Sequence, residues 1–179
     1  MDRDVAALRT TREEARNALD HQIATLNDVD AKAASTLRFA LGFTGLLLTG
    51  LSTVGFAAIE RLATDGDSLA AVVQLAGLAA LASAVAGFLV AVFYAIETYT
   101  ATRFRAGLGG ADVDRILAEG YTEEELLYLL NESYADWIGD ARERNAHDTA
   151  LLDRSHRSLQ AGVGLSALGV VLFALGTVL

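Results

Sequence analysis

The chain has 179 residues and a formal net charge of −9. Its hydrophobic share is 53% beside an ordinary 21% charged, with a mean hydropathy of +0.34, figures that fit together only if charge and oil are segregated along the chain. The absence of cysteine excludes disulfides, thiol catalysis and cysteine metal sites, and the absence of a basic stripe excludes a nucleic-acid polymer as partner.

Residues 1–38 contain no glycine or proline and read as a helix, starting near Asp4 or at a Thr11–Glu14 capping box. Leu19, Ile23, Leu26, Ala33 and Leu37 fall mostly on one face. About 30 such residues would extend roughly 45 Å. The helix continues without a break into an uncharged apolar run over 39–59, about the length needed to cross a hydrocarbon core. That run lies behind a long charged segment and exceeds the apolar region of a signal peptide, so it is expected to be a permanent span. A turn over 60–67, around Asp65-Gly66-Asp67, leads to a second apolar stretch over 68–97.

In that second stretch Ala79, Ser83, Gly87, Ala91 and Ala95 recur every fourth residue. Small residues at this spacing let helix backbones approach closely where lipid offers no hydrophobic drive. The strip predicts a packing face, within the chain or between copies; an alanine-rich span also produces such strips by chance. Span one carries Gly42, Gly45, Thr49 and Ser52, and span three Gly162, Ser166 and Gly169. Gln74, Ser83, Thr44 and Thr49 are the polar groups that would line a path, although hydroxyls in helices more often bond back to the preceding turn. No ionisable residue lies within a span, and Glu60 and Glu97 sit only at edges, which disfavours a transporter.

Residues 98–157 are polar again. Gly109-Gly110 predicts a break, Asp112–Glu119 a short helix, and Gly120 its end. Thr122 with Glu125 forms a capping box with acids in the first turn. From there one helix is expected to run into a third span over 158–179. Leu126, Leu130, Tyr134, Trp137, Ala141, Asp148, Leu152 and Leu159 make a seam suited to packing on the N-terminal helix. Asn145 and Asp148 are polar members of that seam and would set its register or solvate it locally. The fold class is thus all-α, a helical bundle with three transmembrane helices and long cytoplasmic helical extensions.

Basic residues set the orientation. Six precede span one and seven lie between spans two and three, whereas only Arg61 lies in the first connection. The positive-inside rule places the N-terminus and the middle segment in the cytoplasm and the C-terminus outside. Arg38, Arg103 and Arg157 at span ends suit snorkelling, and Tyr94 and Tyr99 an aromatic belt. Of the 14 basic residues only Lys32 is a lysine, an acidic, arginine-rich balance that looks like a protein of a salt-loving organism.

His21, His147 and His156 lack a metal-ligand spacing, and Gly107 to Gly110 follows no strand as a phosphate loop would. No nucleophile–base–acid set stands out, so neither an enzyme nor a cofactor is expected.

The order of parts carries a resemblance. Asp30-Ala31-Lys32-Ala33 precedes span one, a two-span hairpin follows, and a helix with an acidic start bearing Tyr134 and Trp137 leads to a last span. This resembles the transmembrane domain of Pycsar-type antiphage effectors and, more loosely, the SLATT-like membrane effector families. The resemblance implies a self-associating protein that perturbs the membrane on a nucleotide signal, with the lipid bilayer and further copies of the chain as partners. No cyclic-nucleotide-binding domain accompanies it. Asp30 and Lys32, two apart on a helix, are expected to meet groups of the other long helix, such as Asp148 or Arg154, or lipid headgroups. The alternative function is a membrane-anchored scaffold or signalling adaptor whose helical stalk binds a soluble cytosolic protein.

Overall fold

The computed structural model describes residues 5–65, 68–100 and 107–179; the side chains of residues 54 and 56–65 fall outside the description. The described residues form four helices and no strand: α1 (Val5–Asp65), α2 (Leu69–Thr100), α3 (Gly110–Glu119) and α4 (Glu123–Val178). Helices α1, α2 and α4 are long and apolar enough to cross a membrane.

Local chemistry explains the helix ends. At α4 the Thr122 amide donates to Glu125 Oε2 at 2.9 Å and the Glu125 amide to Thr122 Oγ1 at 3.3 Å, the reciprocal box expected. At α2 the Ser68 hydroxyl accepts the Ala71 amide at 3.2 Å, a cap not anticipated from the sequence. Helix α3 begins at Gly110 rather than Asp112, because Asp112 Oδ2 reaches back to the Gly109 amide at 2.9 Å. It ends at Gly120, which takes a left-handed φ of +66°. Two expected boundaries are corrected. Thr11 does not open a helix: its hydroxyl donates to the Ala7 carbonyl at 2.9 Å, one turn back inside α1. The turn placed at 60–67 is shorter, since α1 continues through Asp65. Gly66 and Asp67, and the region of Arg103 and Arg105, lie outside the described residues.

The chain divides into two compact units. The first comprises residues 1–30 and 100–149. In it α1 and α4 run parallel, because Asn131 Nδ2 donates to the Leu8 carbonyl and Asn145 Nδ2 to the Gln22 carbonyl, each at 3.2 Å and each across 123 residues. Leu19, Leu26 and Val29 of α1 and Leu127 and Ala141 of α4 form the buried core. Each large aliphatic side chain so removed from water contributes about 1.5–3 kcal/mol. Of the expected seam in this unit Leu19, Leu26, Ala141 and Asp148 are buried, whereas Ile23, Leu126, Leu130, Tyr134 and Trp137 are half-buried; Leu127 and Val29 are buried beside them.

The second unit comprises residues 31–99 and 150–179. Here α2 and α4 are antiparallel. Gly162, Gly169 and Gly176 of α4 stand against Phe88, Leu81 and Gln74 of α2, so each step of seven along one helix meets a step of seven back along the other. Phe88 is fully buried, and its ring also meets Phe43 of α1 at a centroid distance of 5.7 Å. Gln74 Nε2 donates to the Gly176 carbonyl at 2.9 Å, and Ser155 Oγ to the Ala91 carbonyl at 2.7 Å.

Within the chain only part of the strip expected on α2 is used. Ala91 and Ala95 are buried and Gly87 lies against Gly162, but Ala79 and Ser83 are exposed. The reason is geometric. A step of four residues advances about 40° beyond a full turn, so the strip winds about 160° around α2 between Ala79 and Ala95. The face that stays on α4 alternates steps of three and four: Gln74, Gly77, Leu81, Ala84, Phe88, Ala91, Ala95 and Thr98.

Candidate functional site

Two groups of residues combine features beyond ordinary packing. The first is the polar stretch of the α1–α4 seam in the first unit. A 3.5-residue repeat brings Asn145 and Asp148 inward with Ala141, although both are polar. Asn145 is 7% exposed; its amide group donates to the Gln22 carbonyl and, at 2.7 Å, to Gln22 Oε1. Its own carbonyl oxygen is buried without a partner, as is that of Asn131. Each asparagine thus spends its donors on α1 and leaves an acceptor dry, an arrangement that favours one register at a cost in stability.

Asp148 is 3% exposed. Burial raises its carboxyl above the usual value, and the nearby Asp30 carboxylate raises it further, against the lowering influence of His147 and Arg144. Asp30 thus acts on Asp148 across the seam as a like charge. Lys32 is exposed. The half-buried Tyr134 and Trp137 meet edge to face at 5.2 Å, one turn apart on α4. A hydrophilic cavity of about 440 Å³ is lined by Asp140, Glu143, Arg144, His147 and Asp148. Among the described residues no three histidine, cysteine or acidic side chains are grouped to hold a metal ion. His21 and His147 are both exposed.

His156, which had no assigned role, pairs across helices in the second unit. Its Nε2 lies 3.1 Å from Thr36 Oγ1. The Thr36 hydroxyl already donates to the Lys32 carbonyl at 2.9 Å, so His156 Nε2 is the donor of this pair.

The second group is the set of small residues in the second unit. Most glycines of α2 and α4 in this unit are occupied: a β-carbon on Gly77, Gly169 or Gly176 would fall within 3 Å of another helix, and only Gly164 of α4 meets nothing within 4 Å. The glycines of α1 are not occupied. Gly42, Gly45 and Gly50 are exposed and a β-carbon on any of them would meet nothing within 4 Å. The hydroxyls of Thr44, Thr49 and Ser83 bond back to carbonyls four residues earlier, and Gln74 is tied to Gly176, so these four side chains are engaged in helix contacts. An apolar groove of about 270 Å³ adjoins the open face of α1, lined by Leu46, Gly50, Leu81 and Phe173 among others.

Compared with known proteins, the chain matches no family model, and no curated protein or solved structure is significantly similar to it.

Proposed function

We propose that the chain is a three-span membrane protein that self-associates and perturbs or perforates the bilayer, with the first span supplying the contact between copies. The observation that carries this reading is the contrast between glycines. Gly77, Gly87, Gly162, Gly169 and Gly176 of α2 and α4 are filled from within the chain and Gly164 of α4 is open, whereas Gly42, Gly45 and Gly50 of α1 are all open. Association in lipid depends on close backbone approach, so an unfilled glycine face on a span is where a second copy gains most. Large exposed apolar side chains such as Leu46, Phe93 and Val171 suit a lipid environment. The distribution of arginines puts the N-terminus and the 98–157 segment in the cytoplasm. The likeness of the ordered parts to Pycsar-type effector membrane domains supports the membrane-perturbing role.

A pore through a three-span chain requires several copies. The mass of the detergent-solubilised particle, followed by dye release from liposomes carrying it, tests the proposal. A multimer that releases dye is the expected result; a monomer that leaves liposomes sealed overturns it. The first unit is compact by itself, which favours as second reading a scaffold that recruits a soluble partner. Co-purification of a stoichiometric cytosolic protein with sealed liposomes would select that reading instead.

A further inference from the structure

Among the described residues only Gly107 and Gly120 have positive φ, at +110° and +66°, and they flank α3 on its two sides. Glycine takes this conformation at no steric cost, so backbone rotation near each end of α3 is unhindered by a β-carbon. Between them α3 is weakly held. None of its residues is buried, Leu117 is 76% exposed and Val113 43%. Its ion pair is internal, Arg115 Nε to Glu119 at 2.9 Å, and the Tyr121 hydroxyl bonds Glu119 just beyond the helix. No hydrogen bond or ion pair among the described residues joins α3 to α4. What lies between them is a cavity of about 310 Å³, with Leu108 and Ile116 on one side and Leu129, Ser133 and Trp137 on the other. Atoms facing a void forgo dispersion contacts, so the cavity further weakens the attachment.

By contrast, the start of α4 is fixed by its capping box, by the Arg9–Glu123 ion pair and by Asn131 on Leu8. A segment with few buried contacts beside one with many opens first and alone.

We propose that α3 is a movable flap, hinged at Gly107 and Gly120, that swings away from α4 to uncover Leu129, Ser133 and Trp137. The closed position shields the indole of Trp137; the open one offers α4's aromatic face. The flap is independent of whether the chain forms a pore.

Trp137 is the single tryptophan and the chain has no cysteine, so both a fluorescence reading and a thiol cross-link are specific. The test uses the full-length protein in detergent micelles. A double variant, Ile116→Cys with Ser133→Cys, is closed with a short bis-maleimide, and acrylamide quenching of Trp137 is compared with that of the same variant left unlinked. A quenching constant at least two-fold lower after cross-linking is expected. Equal constants, or failure of the two thiols to link, would overturn the flap. Hydrogen exchange on the unaltered protein gives a second reading: amides of residues 114–119 should exchange at least ten-fold faster than those of residues 127–137, and equal protection of the two segments would also overturn it.

Discussion

Gly77 and Gly169 face each other backbone to backbone: a β-carbon on either would stand 2.9 Å from the carbonyl oxygen of the other. Neither carbonyl can move without disturbing its own helix. Gly169→Ala and Gly77→Ala are therefore each expected to destabilise the α2–α4 pair by about 1–3 kcal/mol, seen as a lower unfolding temperature of the solubilised protein. Gly162→Ala should be milder, because its β-carbon would meet only the Phe88 ring, at 3.1 Å.

The open glycines of α1 separate association from folding. A β-carbon at Gly45 meets nothing within 4 Å in the chain, so on Gly45→Leu the unfolding temperature of the monomeric species should change little. If α1 joins copies, the same substitution should reduce the fraction of multimer several-fold on size exclusion with light scattering. A multimer unaffected by leucine at positions 42, 45 and 50 would place the contact elsewhere.

Asn145→Leu removes a buried unpaired oxygen together with the bonds to Gln22. The Gln22 carbonyl lies inside α1 and its side-chain oxygen, on a half-buried residue, can turn to water when its donor is lost. The expected outcome is a helix pair more stable by about 1 kcal/mol that tolerates other registers. Thiol cross-linking of Ala15→Cys to a cysteine at position 134, 138 or 141 measures this and leaves Gln22 and position 145 untouched. In the asparagine protein the product at 138, in the register of Leu8 with Asn131 and Gln22 with Asn145, should dominate, and in the leucine variant it should give way to a mixture.

Asp148 predicts a pH dependence whose sign follows from burial. Its carboxyl is raised above the ordinary 3.8 on folding, so the folded seam disfavours the charged form. The penalty is absent below the unfolded value, grows as pH rises toward the raised folded value, and is complete above it. Asp148→Asn should accordingly raise stability at neutral pH and leave it nearly unchanged in acid near pH 3, by thermal unfolding across a pH series. A variant less stable at neutral pH would mean that the carboxylate is held by favourable contacts outweighing burial.

Periodicity and punctuation were legible in the residues themselves. Four helices, the Thr122–Glu125 box, the stop at Gly120 and the Leu19–Leu26–Ala33 face all follow from spacing and from the absence of proline. In α2, spacing alone does not say which small residues are used within the chain. A strip of every fourth residue and a heptad face differ by only half a residue per turn, and over a few turns that difference carries Ala79 and Ser83 away from α4. The heptad of Gly162, Gly169 and Gly176 was visible, but only the first two were singled out, because glycines count as small residues rather than as sockets until their opposite numbers, Phe88, Leu81 and Gln74, are known. Pairings such as Ser155 with Ala91 and His156 with Thr36 depend on relative rotation of two helices, which no single segment encodes. The dry acceptors of Asn131 and Asn145 were likewise invisible, since an exposed and a buried asparagine are the same letter.

The sevenfold spacing of Gly162, Gly169 and Gly176 has a mechanical corollary. A row repeating every 3.5 residues on a helix of 3.6 creeps about 20° per repeat, so α4 keeps its three sockets on α2 only by winding left-handedly around it. Between Gly162 and Gly176 that creep amounts to about 40°, a small part of a superhelical turn, so the two rods are wrapped without being interlocked. They can part sideways once the sockets empty, and what holds them is the fit of each socket rather than the coil.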